Sequence, residues 1–358
     1  MYLSLPIRQQ RMKTRNLSPQ EMFVALAQNH RPKFQFQGNF AAWKAAAKPE
    51  VLATLGAHPE SVPPDPELTL EWEDRGVIKR RYLIDVGPGI SAALQVNLPP
   101  APRPGERHPA ILCWHGHGPW GKDTVMGNAG SPEVADAIAL HNYDYGQQMA
   151  RQGFVTYAID WMGCGERNDS RKPHFLNVGE GRDWCNLYYL HATMMGTSCL
   201  AINLAHGRAA TDFVCSLPEV DASRLGVMGL SGGGTMTLWS ALTDSRFKAA
   251  EVICYSDLWA LFGIRDINYC GMQVAPGLYA LVDLPDLQGL LAPLPLLVDI
   301  GACDSCFQPD NAMECYRQVK AIYQSAAAAE YLHLDLFPGG HQWGGRKSKE
   351  FFDRYLAL

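Results

Sequence analysis

From residue 109 onward, short and mostly apolar runs alternate with longer stretches of mixed polarity. Ala110–Trp114, Phe154–Asp160, Leu225–Leu230, Ala249–Tyr255, Leu294–Ile300 and Tyr331–Phe337 have the length and composition of strands covered on both faces. Helices are expected between them: about Val134–Arg151, much of His191–Ser216, from the glycines after Leu230 to Leu242, Asn311–Ala328, and about the last dozen residues. Strands that alternate with helices build an α/β, mostly parallel, doubly wound sheet flanked by helices. Such sheets put their sites at the carboxyl ends of the strands, so the residues just after each strand carry the functional question.

The first part of the chain reads differently. Ser18-Pro19-Gln20-Glu21 is a capping box with proline at the first helical position, leading into Met22–Gln28. A second helix is expected at about Phe40–Leu55, closed by Gly56, and Ser61–Pro66 is a proline-rich linker. Leu68–Trp72, Lys79–Val86 and Ile90–Leu98 then read as strands joined by glycine-containing turns. The expected organisation is a helical N-terminal extension over residues 1–66 packed on a catalytic domain over 67–358. Insertions near 167–189 and 259–291, rich in aromatic residues, are expected to act as a cap.

Composition narrows the class without choosing within it. The chain has 358 residues, 47% hydrophobic and 19% charged, which excludes a disordered or fibrous protein. Its net charge of −5 gives no field for nucleic acid or an anionic membrane, and no apolar run approaches the ~18 residues that span a bilayer. Met1–Asn16 shows no secretory signal, and the ten cysteines are dispersed through apolar segments. A cytoplasmic location with free, mostly buried thiols is the expectation. Cys303 and Cys306 form a C-x-x-C pair, but it sits late in the chain, where a thioredoxin-like motif is not expected.

The strand Leu225–Leu230 leads into Gly229-Leu230-Ser231-Gly232-Gly233-Gly234 and then a helical stretch. That is G-x-S-x-G in the strand–turn–helix setting of a nucleophile elbow. A serine on so tight a turn leaves no room for side chains two residues before or after it. The same turn aims the Gly232 amide and a helix N-terminus at an oxyanion. A plain connecting loop or a phosphate cradle is the alternative, but a dinucleotide fingerprint belongs in the first βαβ unit.

A serine nucleophile needs a base. His341, in Phe337-Pro338-Gly339-Gly340-His341, follows the last strand and comes after Ser231 in the chain. His333 lies inside that strand, and the histidines at 30, 58, 108, 141, 174, 191 and 206 sit in helical, linker or proline contexts where a structural role is expected. The orienting acid should follow another strand. Asp304 does so after Leu294–Ile300, while Asp257, after Tyr255, is the alternative and Asp299 lies within the apolar run. The order Ser231, Asp304, His341 is that of an α/β-hydrolase triad.

After Ala110–Trp114 comes His115-Gly116-His117-Gly118-Pro119-Trp120. The loop after this strand supplies the second oxyanion amide in such enzymes, which points to the backbone of His117, with His115 bracing the loop. A metal-binding H-x-H pair is the rival reading, but no acid stands where a binuclear zinc site would need one.

Taken in order, His115–Gly118, Asp160–Arg167, Pro218–Asp221 before Arg224–Val227, Gly229–Gly233, Gly301–Asp304 and Gly339–His341 resemble the bacterial dienelactone-hydrolase-like and acetyl-xylan-esterase-like branch of the α/β-hydrolase superfamily, over about Leu68–Leu358. The resemblance implies a serine esterase that cleaves small to medium carboxylic esters through an acyl-enzyme, with no cofactor and no metal. Dienelactone hydrolases proper look to have cysteine where this chain has Ser231, which sets a dienelactone substrate aside. Trp120, Glu166, Trp259 and Trp343 are candidates to line the substrate pocket, although Glu166 can equally form an ion pair beneath it. A small-molecule ester is the expected partner, and a homo-oligomer is compatible with the sequence. A serine peptidase or amidase of the same fold is the nearest alternative, and a catalytically silent binding protein on this scaffold is the alternative of another class.

Overall fold

The computed structural model describes residues 15–101, 103, 105–169 and 183–356. The centre is one nine-stranded sheet: β1 (Glu67–Asp74), β2 (Val77–Gly87), β3 (Ile90–Leu98), β4 (His108–Trp114), β5 (Val155–Ile159), β6 (Val220–Leu230), β7 (Phe247–Ile253), β8 (Leu296–Gly301) and β9 (Leu332–Phe337). Its spatial order is β1-β2-β3-β5-β4-β6-β7-β8-β9. The first three strands and the β3–β5 pairing are antiparallel, and every pairing from β5 to β9 is parallel. The β1–β2 hairpin closes through Arg75 and Gly76, both at positive φ, as a two-residue turn between twisted strands requires.

The chain leaves β4 toward β5 on one side and later returns to β6 on the other. This reversal opens a crevice over the carboxyl ends of β4 and β6. The register pairs Trp114 with Gly229, so the two strands end level and their following loops meet.

Two expected long helices are each broken in two, and both breaks have a local cause. The stretch expected at Val134–Arg151 forms helices Pro132–His141 and Tyr145–Arg151, because Asn142 takes the left-handed conformation (φ 46°) that ends a helix. The stretch expected at His191–Ser216 forms Trp184–Met194 and Cys199–Val214, interrupted by Gly196 at φ 75° and restarted by the Ser198 N-cap. At the N-terminus, Pro19–Asn29 is helical and Ser18 accepts from the Glu21 amide, but the capping box is only half formed. The Ser18 amide donates to Asn16 Oδ1 instead of to Glu21.

The helix Phe40–Ala53 buries Trp43, Ala47 and Val51 in the main core. The segment before it is stitched to the 259–291 insertion: Lys33 and Phe34 amides donate to Ala280 and Leu281 carbonyls, and the Phe36 amide donates to Asp286. That insertion consists of short helical turns, among them Leu278–Leu281 and Leu284–Gly289. Of the other expected cap segment, residues 170–182 lie outside the described residues, as does His174. Among the described residues, no helix is long and apolar enough to cross a membrane.

Candidate active site

Ser231 stands between β6 and the helix Gly232–Thr243 at φ 59°, ψ −121°, a backbone conformation that residues bearing a Cβ rarely adopt. Its neighbours make this turn possible. A Cβ on Gly233 would come 2.2 Å from the Trp114 carbonyl, and one on Gly229 would come 2.4 Å from the Gly233 carbonyl, so the elbow is pressed directly onto the end of β4. The Ser231 amide donates to the Ile253 carbonyl at 2.9 Å, which ties the elbow to β7 as well.

Asp304 and His341 come together over β8 and β9. A Cβ on Gly301 would meet the Gly340 carbonyl at 2.3 Å, and the Cys303 amide donates to the Gly339 carbonyl at 2.8 Å, so the two loops lie against each other. His341 Nδ1 donates to Asp304 Oδ2 at 2.9 Å. Asp304 Oδ1 takes the amides of Cys306 (2.7 Å) and Phe307 (3.0 Å). Burial alone would push this carboxyl up, but the hydrogen bond and charge of His341 together with the two amides hold it below the ordinary range. Asp257 is elsewhere: it accepts from the Leu258 amide and from Asn311, and burial raises it to about 6.

The His341 ring stacks on Phe307, with centroids 5.7 Å apart and planes 12° apart. His141 Nδ1 donates to the His341 carbonyl at 2.7 Å. Cys254, directly after the Ile253 that receives the Ser231 amide, has its sulfur within 4.8 Å of the facing atoms of Asp304 and His341. Serine, histidine and aspartate therefore share one edge of the sheet. Among the described residues, neither Ser231 Oγ nor His341 Nε2 is engaged in a hydrogen bond.

The loop after β4 closes the other side. A Cβ built on Gly232 would lie 3.5 Å from the His117 amide nitrogen, so these two amides are neighbours, and among the described residues neither donates to another protein group. The Gly116 amide donates to Tyr143 Oη at 2.6 Å. His115 is fully buried, and desolvation drives its pKa down to about 4, so the ring is neutral. Its Nδ1 faces the Gly116 carbonyl at 2.7 Å and its Nε2 accepts the Trp161 amide at 3.1 Å. The H-x-H metal pair is thus not formed: His115 faces inward, while His117 Nε2 lies 3.3 Å from Cys185 Sγ.

Two pocket candidates are placed elsewhere. Trp343 is buried and donates to Glu251 and Ser348, so it belongs to the core beneath the loop. Glu166 is held by Lys122 (2.5 Å) and Arg81 (2.6 Å), with Asp160 on the same lysine at 3.0 Å. Burial works against the Lys122 charge, but Asp160, Asp123 and Glu166 together keep it protonated. The motif at Asp160–Arg167 therefore braces the β5 loop. Trp259 lines an apolar cleft of about 190 Å³ with Gly263, Tyr269, Leu278 and Tyr279, and Trp120 is half-buried beside the helix Lys122–Val125. Cys303 and Cys306 are free, on the loop before the helix Pro309–Ser325.

Tyr143, Phe307, His141 and Lys122 support the site without carrying a motif. Only the Asn142 helix break, which aims Tyr143 at Gly116, has a local sequence cue.

A family model described as the Abhydrolase family matches residues 5–334. The chain belongs to that family. The match takes in the N-terminal helices, Ser231 and Asp304. Among curated proteins, YtaP of Bacillus subtilis (strain 168) is 22% identical over 302 residues, covering 83% of this chain and 94% of YtaP. Solved structures of the same fold include a glucuronoyl esterase from Solibacter usitatus (TM-score 0.62, 15% identity, 87% of this chain and 92% of that one). An acetyl xylan esterase from Paenibacillus sp. R4 also superposes (TM-score 0.56, 20% identity, 93% and 99%). The fold is therefore that of an α/β-hydrolase.

Proposed function

We propose that this protein is a serine hydrolase cleaving small to medium carboxylic esters, acetyl esters among them. The observation that carries the reading is the strained Ser231 elbow on the same sheet edge as the His341–Asp304 pair, whose Nδ1 to Oδ2 distance is 2.9 Å. The esterase names of the structural neighbours support ester over amide cleavage.

Ser231 Oγ attacks the ester carbonyl carbon while His341 Nε2 takes its proton. The carbonyl oxygen becomes an oxyanion held by the Gly232 and His117 amides. His341 returns the proton to the departing alkoxide, so an alcohol leaves and an acyl-serine remains. Water then attacks the acyl carbon, again through His341, and releases the acid and free Ser231. Asp304 keeps the Nδ1–H tautomer and stabilises the imidazolium.

Ser231→Ala should lower turnover of a chromogenic acetyl ester by at least about 10³-fold and abolish fluorophosphonate labelling, with an unchanged circular dichroism spectrum. Activity retained within about tenfold would refute the assignment. A panel of acyl lengths, sugar acetates and the matching amides identifies the preferred ester, and faster amide cleavage would replace the esterase reading by an amidase one.

A further inference from the structure

Beside the oxyanion loop, three chain segments bring one imidazole and two thiols to a common point. His117 comes from the loop after β4, Cys185 from the helix Trp184–Met194, and Cys270 from the residue before the short turn Gly271–Gln273. The facing atoms of His117, Cys185 and Cys270 all lie within 4.8 Å of one another. We infer that His117, Cys185 and Cys270 form a three-ligand Cys₂His site for one transition-metal ion of the zinc class, with the fourth coordination position left open to solvent.

The spacing fits such an ion. Zinc–sulfur and zinc–nitrogen bonds at tetrahedral angles put sulfur and nitrogen about 3.5 Å apart. His117 Nε2 and Cys185 Sγ are 3.3 Å apart. Cys185 is buried and Cys270 is half-buried, while His117 is exposed and leaves the cluster open on one side. Coordination sends the thiol protons to solvent and leaves the imidazole neutral.

An outer hydrogen bond is in place as well. Gln273 Nε2 donates to Cys270 Sγ at 3.5 Å, and Gln273 Oε1 accepts from Thr235 Oγ1 at 2.8 Å, on the helix that begins after Ser231. None of the three ligands is close to another in sequence, so no C-x-x-C or H-x-H spacing announces the set. Bound metal would anchor the His117 loop, whose backbone amide faces Gly232, to the Trp184–Met194 helix and the 259–291 insertion.

The test uses full-length reduced protein purified without a metal-affinity resin, loaded anaerobically with Zn²⁺ or Co²⁺ and desalted. The expected result is one ion per chain by elemental analysis, and a thiolate-to-Co²⁺ charge-transfer band. Cys185→Ser and Cys270→Ser should each weaken Zn²⁺ affinity at least about tenfold, whereas Cys215→Ser, outside the cluster, should not. His117→Ala, at an exposed position, serves if a buried cysteine variant does not fold. Less than about a tenth of an equivalent bound by the wild-type chain, a Cys185–Cys270 disulfide by mass, or equal loss in Cys215→Ser would each overturn the inference. Ser231→Ala should bind the ion normally, so this result stands or falls separately from the esterase assignment.

Discussion

Ser231 holds a conformation that costs a residue with a Cβ on the order of 1–3 kcal/mol, and the surrounding contacts impose it. The glycines that permit it are adjacent in sequence, which is why the elbow could be read from the chain. The acid could not be read so directly, because Asp304 and Asp257 both follow apolar strands. Position in space separates them: Asp304 Oδ2 meets His341 Nδ1, while Asp257 faces Leu258 and Asn311. Asp304→Asn tests this. Its Oδ1 would stay with the Cys306 and Phe307 amides, leaving an NH₂ against Nδ1 and forcing the wrong imidazole tautomer. Turnover should fall on the order of 10³–10⁴-fold with an unchanged melting temperature; a loss below about tenfold would move the acid elsewhere.

Strands β7, β8 and β9 each carry a buried carboxyl group: Glu251, Asp299 and Asp335. Glu251 Oε1 accepts from Ser348 Oγ (2.7 Å) and Trp343 Nε1 (3.1 Å), fastening the loop after His341 to the sheet. Burial pushes Glu251 up to about 7, although Ser348 and Trp343 pull the other way. An acid whose folded pKa lies above its unfolded value holds extra protons in the folded state. Its contribution is therefore whole below the unfolded value of 4.5 and is lost as pH rises toward and past about 7. Glu251→Gln keeps the Oε1 acceptor and removes the buried charge, so melting temperatures from pH 5 to 9 should decline less steeply than in the wild type. Identical slopes would show that Glu251 does not govern this dependence. The apolar runs announced these strands but hid the acids' common burial, because strand neighbours in space are far apart in sequence.

At the scale of the whole molecule, the N-terminal helix Phe40–Ala53 shares the core of the catalytic sheet. Trp43 is 8% exposed, packs edge-on to Phe36 at 5.1 Å and donates to the Phe34 carbonyl at 2.7 Å. Leu55 joins the same core, and its carbonyl accepts from Ser198 Oγ. If residues 1–66 are a packed preface to the catalytic domain, Trp43→Ala should cost about 3–5 kcal/mol in urea unfolding, in a single transition. A loss below about 1 kcal/mol, or a separate early transition, would make the preface an independent unit. The sequence by itself determined what rests on neighbours in the chain: strand and helix alternation, the G-x-S-x-G turn, and the order of Ser231, Asp304 and His341. Those depend on backbone sterics and periodicity, which act over a few residues. Tertiary structure alone decided which aspartate meets His341, that Trp343 and Glu166 support the loops from below, and that His117 faces Cys185 and Cys270 from distant segments. Each of these is a contact across the strand order of the sheet, and burial and pairing energies depend on distance in space, not on separation along the chain.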